Sequence, residues 1–405
     1  MKIALISLHS CPLGILGSLG VGGMNTYILN LSRVLSETRN ETYIFTRSHG
    51  DCCFNINTLG NGVKLIHIPI GSIEDSKDDL FQLTDGFATE ILNYININNL
   101  KLDIIHSHYW LSGKVSVEVS EAIDVPFVTT FHTLAKTKSR ATSIVNEHIE
   151  REQTEQSIMD KSAGILVLSE IELTDIDFLY DVNRDKITVI SPGLDTNMFS
   201  PVPKNEARKY VNSKTENMIL YVGRIDSIKG IDLLLDVIEI IGNDCDITLY
   251  IVGGGEIKSN ELIELDQDIK NRNIGHRVVL TGSIPQQELK LYYSAADLFI
   301  LPSYYESLGF VVLESMACAT PVVAANVGGI PSLITHMETG ILLDHRSSES
   351  FSEAIKYLLN NDDIRKNMGK QGYISNKDRS WVEVAQKMEL FYMNSINKYY
   401  QRVVS

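Results

Sequence analysis

The chain has 405 residues, of which 44% are hydrophobic, and a formal net charge of −15 at pH 7. This length predicts two domains of about 200 residues each, and the composition is typical of a soluble globular protein. The negative charge argues against general affinity for nucleic acid or for an anionic membrane surface, although it leaves room for a local basic pocket.

The sequence contains no run of about 18 apolar residues, so no membrane span and no stable membrane insertion are predicted. Its apolar start, Met1–Ile6, predicts a core strand rather than a signal peptide, and we therefore expect a cytoplasmic protein. The cysteines are scattered without a CxxC pair, which favours reduced thiols over a zinc site or a disulfide framework. They are Cys11, Cys52, Cys53, Cys245 and Cys318.

The first half of the chain alternates short apolar segments with helical patterns, such as those at Asn25–Ser36 and Asp85–Asn96. This alternation predicts a parallel sheet with helices on both faces. The predicted strands are Lys2–Leu8, Thr42–Thr46, Val63–Pro69, Ile104–His106, Phe127–Phe131, Gly164–Leu168 and Ile187–Ile190.

A glycine-rich loop, Gly14–Gly23, separates the first predicted strand from the first helix. At its end, Gly22 and Gly23 would let a diphosphate or a sugar approach the backbone at a helix N-terminus. The competing interpretation is a flexible connection. The glycine spacing does not match the strict dinucleotide fingerprint, so a nicotinamide enzyme is only the runner-up on fold alone.

Polar side chains follow two neighbouring predicted strands, with His106, His108 and Tyr109 after one and His132 and Thr133 after the next. Ligands of doubly wound folds bind at the carboxyl ends of strands, so we expect His132 and Thr133 to face a cleft. The two histidines of the first group would also permit a metal. No third ligand stands at a telling spacing, and a polar and aromatic cleft wall is favoured.

The alternation breaks at Ser191-Pro192-Gly193 and at Pro201 and Pro203, which predicts a domain boundary near residues 195–215. A second alternating series then begins. Its predicted strands are Met218–Val222, Ile247–Val252, Val278–Thr281, Leu298–Leu301, Pro321–Ala324 and Gly340–Leu343.

The predicted fold is α/β, with two doubly wound, Rossmann-like domains that face each other across a cleft. We assign residues 1–200 to the first domain and residues 201–380 to the second. Residues 381–405 are predicted to form a helix that packs back on the first domain.

Two cations, Arg224 and Lys229, stand in the first strand-to-helix turn of the second domain. They could converge on a diphosphate and stabilise the charge that builds on a departing nucleoside diphosphate. The alternative is a solvated helix start with an incidental pairing to Asp226.

The most informative stretch is residues 304–315, in which Glu306 and Glu314 stand eight residues apart around a Ser-Leu-Gly turn. A buried strand precedes the turn and a helix follows it, so free N–H groups and the helix dipole favour an anion there. Glu306 could accept hydrogen bonds from sugar hydroxyls, and Glu314 could reach a ribose. This combination suits a nucleotide sugar.

Together these residues resemble the retaining glycosyltransferases of family 4, which have the GT-B fold. Four segments of the first half are similar to the D-inositol-3-phosphate glycosyltransferases of mycothiol synthesis, and sucrose-phosphate synthases are close relatives of those enzymes. The segments are residues 6–12, 22–27, 106–113 and 130–134.

The resemblance implies transfer of a hexose from a nucleotide sugar, here UDP-linked, to a phosphorylated polyol or sugar such as inositol phosphate or fructose 6-phosphate. It implies no metal and no cofactor. The implied catalytic residues are Arg224, Lys229, Glu306 and His132. The implied donor site consists of Gly22, Gly23, Arg224, Lys229, Glu306, Ser307, Leu308, Gly309 and Glu314. The implied acceptor site consists of Asn25, Lys77, Tyr109, Thr133 and Arg151.

The sequence departs from the family pattern at two single residues, both of them packing changes, and in one loop, which leaves the acceptor and the donor hexose open more than the reaction class. Leu308 stands where the family usually has an aromatic residue, Ala319 stands where it commonly has glycine, and the loop Leu13–Val21 differs in composition. An unphosphorylated acceptor, such as an aminocyclitol or a lipid-linked glycan, therefore stays open, as does a homodimer. A binding protein without catalysis is disfavoured because both pairs of charged residues are present.

Overall fold

The computed structural model describes residues 1–14, 21–48, 57–60, 62–72, 75, 77–141, 147–213, 215–241, 244–256 and 259–404. The side chains of Asn57, Lys77 and residues 402–404 are not among the described ones.

The first sheet has eight strands in the order β3-β4-β2-β1-β5-β6-β7-β8. All neighbouring pairs are parallel except β3–β4. Its inner strands β5 and β6 are buried along their whole length, as expected for a parallel sheet covered by helices on both faces. The strands are β1 Lys2–Ser7, β2 Glu41–Arg47, β3 Asn57–Thr58, β4 Val63–Ile68, β5 Ile104–His108, β6 Phe127–Thr130, β7 Gly164–Val167 and β8 Ile187–Val189.

The second sheet has six parallel strands in the order β11-β10-β9-β12-β13-β14. In both sheets the strand order reverses beside the first strand of the series, which is the point where such folds bind ligands. The strands are β9 Asn217–Val222, β10 Ile247–Val252, β11 Val278–Gly282, β12 Leu298–Leu301, β13 Val322–Ala325 and β14 Gly340–Leu343.

Helices connect the strands of both sheets. Within the described ranges, none combines the length and the hydropathy that a bilayer span requires. In the first half they are α1 Gly23–Glu37, α2 Lys77–Gln82, α3 Thr84–Ile97, α4 Trp110–Ile123, α5 Ala135–Ala141, α6 Arg151–Lys161 and α7 Glu170–Leu179. They continue with α8 Lys204–Tyr210, α9 Ile231–Ile241, α10 Asn260–Asn271, α11 Gln286–Ala295, α12 Phe310–Ala317, α13 Ser348–Asn360, α14 Asp362–Asn376 and α15 Trp381–Val404.

The predicted architecture of two doubly wound parallel sheets is confirmed, and every predicted strand is present within a few residues of its expected bounds. The short antiparallel strand β3 was not predicted, because two residues are too few to give a periodic pattern. Two helices begin earlier than expected, α1 at Gly23 and α12 at Phe310.

The last helix, α15, packs against α1 and the first sheet. The Tyr392 hydroxyl lies 2.8 Å from Nδ1 of His106, which belongs to β5. Glu389 accepts hydrogen bonds from Thr38 and Asn40, which follow α1, at 2.6 Å each. The end of the chain therefore contributes to the core beside the first sheet.

The chain passes between the two sheets at two neighbouring places. The backbone N–H of Leu194 donates to the carbonyl of Arg379 at 3.1 Å, and Leu194 forms a parallel bridge with Ser380. A side chain at Gly193 would place its Cβ 2.6 Å from the backbone nitrogen of Trp381. Glycine is therefore required for the two crossings to lie side by side.

Candidate active site

The two sheets direct their carboxyl ends toward one cavity of about 510 Å³, which is lined by loops from both halves of the chain. Most of the predicted site residues line it. They are Gly22, Gly23, Asn25, Tyr109, His132, Thr133, Arg224, Lys229, Glu306, Ser307, Leu308, Gly309 and Glu314. Arg151 does not line the cavity, and the side chain of Lys77 lies outside the described residues.

Gly22 and Gly23 stand at the start of α1, on one wall of the cavity. A Cβ at Gly22 would meet no atom within 4 Å, so this backbone borders open space. A Cβ at Gly23 would lie 3.0 Å from the ring of Phe310, the first residue of α12. The N-termini of two helices thus approach each other across the cavity, and both favour negative charge there.

Asn25 holds the glycine-rich turn in place. Its side-chain oxygen accepts from the N–H of Gly22 at 2.9 Å, and its amide donates to Ser10 Oγ and to the Cys11 carbonyl at 2.7 Å each. The side chain is buried and hydrogen-bonded to the protein on both its oxygen and its nitrogen. Its predicted contact with the acceptor stays a prediction.

Lys229 and Glu306 form an ion pair on the opposite wall. Lys229 Nζ lies 2.5 Å from Glu306 Oε1, which also accepts from Ser303 Oγ at 3.0 Å. The N–H of Tyr304 donates to the carbonyl of Ile228 at 2.8 Å. Side-chain and backbone contacts therefore join the two predicted donor loops directly.

Arg224 pairs with Asp226 within its own loop, at 3.1 Å between Nη2 and Oδ2. Its side chain is 31% exposed, and its carbonyl accepts a hydrogen bond from the Tyr221 hydroxyl at 2.7 Å. The second oxygen of Asp226 is buried and has no hydrogen-bond partner among the described residues. The pairing that the sequence offered as an alternative is thus present, and Arg224 still lines the cavity.

The turn between Glu306 and α12 requires glycine. Gly309 has φ of 85°, in the left-handed region, and a Cβ there would lie 2.4 Å from Ile330. Leu308 is buried, so its difference from the family's usual aromatic residue is one of packing.

The sequence did not reveal two supports of the Glu306 loop. Gly328 packs so tightly that a Cβ would lie 1.7 Å from the Glu306 carbonyl oxygen. Arg346 donates from Nε to the Pro302 carbonyl at 2.6 Å, and its guanidinium lies 3.2 Å from the ring centroid of Tyr304. Gly328 follows β13, the neighbour of β12, and Arg346 follows β14, the next strand of the sheet. Position after a strand was the one signal available for them.

Glu314 is buried on the inner face of α12, where Oε2 accepts from the Tyr293 hydroxyl at 2.9 Å. Burial raises the pKa of its carboxyl to about 7. The group therefore titrates near neutral pH, and any ligand that donates a hydrogen bond to its charged form shifts that titration.

Three histidines form a buried group behind the first-domain wall. His132, with φ of 59°, places Nε2 3.0 Å from Nδ1 of His108, and His106 lies 2.9 Å from the Thr130 hydroxyl. Burial lowers the pKa of His106 and of His132 to about 3, and that of His108 well below its usual range. Only His132 of the three lines the cavity, so the expectation that His106 and His108 form a cleft wall is wrong.

The described residues contain no group of three ligands suited to a metal ion.

Tyr109 and Thr133 line the cavity, and Arg151 lies behind them. The Arg151 side chain is 1% exposed and donates to Thr133 at 2.6 and 3.1 Å, to Glu155 at 2.7 Å and to the Tyr109 hydroxyl at 3.3 Å. It also pairs with Glu147. Its contact with an acceptor phosphate stays a prediction. Such a contact requires that Arg151 break one of these hydrogen bonds.

We predict that His106, His108 and His132 stay neutral down to about pH 4, because charging a buried imidazole loses its hydration. Imidazole ¹³C–¹H correlation spectra should show three of the ten histidines unchanged between pH 8 and 5. Assignment by single histidine substitutions would identify them, and titration of any of the three near pH 6.5 would contradict the prediction.

Since the unfolded chain takes up these protons below about pH 6.5, the three groups lower the free energy of unfolding as the pH falls from there toward 3.

Two family models match the chain, Glycosyltransferase Family 4 over residues 21–198 and Glycosyl transferases group 1 over residues 203–375. The sequence is 32% identical over 405 residues to a D-inositol 3-phosphate glycosyltransferase of Corynebacterium diphtheriae, covering 97% of this chain and 94% of that one. It is 33% identical over 407 residues to the protein of the same name from Corynebacterium aurimucosum, covering 98% and 97%.

Solved structures match over nearly the whole chain. Sucrose-phosphate synthase from Thermosynechococcus elongatus superposes with a TM-score of 0.90 at 28% identity, covering 97% of this chain and 98% of that one. Anabaena HepE, solved in complex with UDP and glucose, gives a TM-score of 0.76 at 17% identity, covering 96% and 98%. The second likeness concerns the fold alone.

Proposed function

Since the chain belongs to the glycosyltransferases built from Family 4 and group 1 domains, we propose that it transfers a hexose from a UDP-linked sugar to a small phosphorylated acceptor. The acceptor is a phosphorylated polyol or sugar, of the kind named in its relatives D-inositol 3-phosphate glycosyltransferase and sucrose-phosphate synthase. The anomeric configuration of the hexose is retained.

One observation carries this proposal: the starts of α1 and α12 lie so close that a Cβ at Gly23 would be 3.0 Å from the Phe310 ring, and the Lys229–Glu306 pair lies on the same cavity. Two helix N-termini and a cation on one cavity suit a diphosphate. A carboxylate beside that cation suits the hydroxyls of a sugar. A nucleoside-diphosphate sugar carries both groups next to each other.

In the proposed donor complex, Arg224 and Lys229 bind the diphosphate, and Gly22 and Gly23 border it from the other wall. The charge on the diphosphate grows as the sugar departs, so cations held in place stabilise the transition state more than the ground state. Glu314 accepts hydrogen bonds from the ribose.

Retention is proposed to occur without a protein nucleophile. Of the described residues that line the cavity, those with carboxylates are Asp226, Glu306 and Glu314, and each is bonded to a protein group. The acceptor hydroxyl attacks the anomeric carbon from the face that the diphosphate leaves. The bond to the diphosphate oxygen breaks, and that oxygen takes the acceptor proton. The neutral His132 accepts or donates a hydrogen bond beside the sugar without adding charge.

The acceptor end of the cavity combines two hydroxyls, of Tyr109 and Thr133, with the ammonium group of Lys138. Hydroxyls and a cation are suited to bind a phosphate monoester. This end supports a phosphorylated acceptor over the unphosphorylated alternatives.

The direct test is to incubate the protein with a panel of nucleotide sugars and with phosphorylated and unphosphorylated polyols and sugars. We expect a product heavier than a phosphorylated acceptor by one hexose residue, formed fastest from a UDP-sugar, and nuclear magnetic resonance should give the donor's anomeric configuration. Transfer to unphosphorylated acceptors alone would overturn the assigned acceptor class.

Replacing Lys229 with alanine should lower kcat/KM about 100- to 1000-fold, as the loss of one donor to a developing oxyanion does elsewhere. Lys270→Ala is a matched control, because Lys270 also forms a 2.5 Å ion pair, with Asp266. The side chains of that pair are far more exposed than those of Lys229 and Glu306, and Lys270 does not line the cavity. Steady-state kinetics of both variants would measure the difference. Native turnover by Lys229→Ala would refute the assignment.

Binding of a UDP-sugar should release protons near neutral pH, because ribose hydroxyls donate to the charged form of Glu314 and lower its pKa from about 7. Donor affinity should therefore weaken as the pH falls below 7. UDP-glucose is a suitable probe, since its diphosphate has no proton to lose in this range. Calorimetric titrations in buffers of different ionisation enthalpy would count the protons. Glu314→Gln should abolish the release, and equal release from both proteins would argue against the ribose contact.

A further inference from the structure

Glu147 connects two cations, Lys138, which lines the cavity, and Arg151, which lies behind its wall. Its carboxylate lies 2.6 Å from Lys138 Nζ and pairs through its other oxygen with Nη1 of Arg151. The side chains of Glu147 and Lys138 are 14% and 13% exposed, so this ion pair is shielded from most of the solvent. Burial raises the pKa of Glu147, but the positive charges of Arg151 and Lys138 outweigh it and hold the pKa below its usual value.

Glu155, the second carboxylate on Arg151, is bound differently. It is fully buried and accepts from Arg151 Nε at 2.7 Å, from the N–H of Ala135 at 3.0 and 3.2 Å, and from the Tyr180 hydroxyl. These contacts anchor Glu155 within the first domain, so it orients the guanidinium and stays in place. Glu147 has bonds only to the two cations among its described contacts, and it is partly exposed.

The positions of these groups suit exchange of one anion for another. Thr133 and Tyr109 line the cavity and both accept hydrogen bonds from Arg151, while Lys138 reaches the cavity itself. Without the charge of Glu147, one positive charge would be uncompensated here, beside two hydroxyls. A phosphate dianion has more charge and more acceptor oxygens than a carboxylate, so it can compete for both cations.

We propose that Glu147 is an internal competitor of the acceptor phosphate: its carboxylate and the phosphate exchange on Lys138 and Arg151. Lys138 is then a phosphate ligand, which the sequence did not reveal. Arg151 reaches the acceptor only when Glu147 leaves it. This inference rests on the proposed function, because it assigns the acceptor's anionic group to this end of the cavity.

Inorganic phosphate tests the exchange without turnover. With saturating UDP present to occupy the donor site, calorimetry should show that Glu147→Gln binds phosphate about tenfold more tightly than the native protein, since a charged competitor has become neutral. Glu150→Gln is the matched control, because Glu150 lies three residues further on the same segment, is exposed and changes the net charge equally. It should leave phosphate affinity unchanged.

Kinetics give a second readout. Glu147→Gln should lower KM for the phosphorylated acceptor and leave kcat and the donor KM near their native values, whereas Lys138→Met should raise the acceptor KM and weaken phosphate binding. If Glu147 only orients Arg151, its loss would raise the acceptor KM and weaken phosphate binding, and that result would overturn the inference. Unaltered UDP affinity would show that the variant is folded. If Glu147→Gln does not fold, unchanged phosphate affinity in Lys138→Met overturns the exchange.

The outcomes separate the two proposals. Tighter phosphate binding by Glu147→Gln without transfer to any phosphorylated acceptor would preserve the exchange and refute the acceptor class. Transfer to a phosphorylated acceptor, together with equal phosphate affinity of the native protein and of Glu147→Gln, would preserve the proposed function and refute the exchange.

Discussion

A cation in a mostly buried cavity needs a counter-charge, and each cation with a described side chain that we propose for substrate binding has one. Arg224 has Asp226, Lys229 has Glu306, and Lys138 shares Glu147 with the buried Arg151. Removing one member of a buried pair leaves the other charge uncompensated, which is costly. The pairs therefore hold the cations in defined positions in a chain whose net charge is −15.

The pairing also gives the two ends of the cavity different chemistry. At the end that we propose for the donor, helix N-termini and the Lys229–Glu306 pair place positive and negative groups next to each other. At the end that we propose for the acceptor, the carboxylate of Glu147, which lacks other described partners, bridges two cations. The three histidines behind the first-domain wall add no charge, because burial keeps His132 and its neighbours uncharged at physiological pH.

The sequence predicted the sheets and most of the cavity lining, because strand periodicity and position after a strand are local signals. His106 and His108 stand at the end of a strand, as His132 does, yet they lie behind His132 and not on the cavity. No local sequence signal tells whether a residue at the end of a strand faces the cavity or lies behind its wall. Arg151 was found through a family resemblance, which carries no information about burial. The roles of three further residues depend on contacts between segments far apart in the chain, or on which charged partner a side chain binds. These residues are Glu147, Gly328 and Arg346. Such contacts are decided by packing, so they became visible only in three dimensions.

The two neighbouring crossings at Gly193 and Trp381 have a mechanical consequence. Because the two described connections between the sheets lie side by side, they form a single junction between the two halves. The Trp381 ring lies 5.6 Å from that of Tyr27, and Tyr27 lies 5.4 Å from His132. An unbroken path of rings therefore leads from this junction to the wall of the cavity, so a displacement of the Trp381 ring is passed by direct packing to His132.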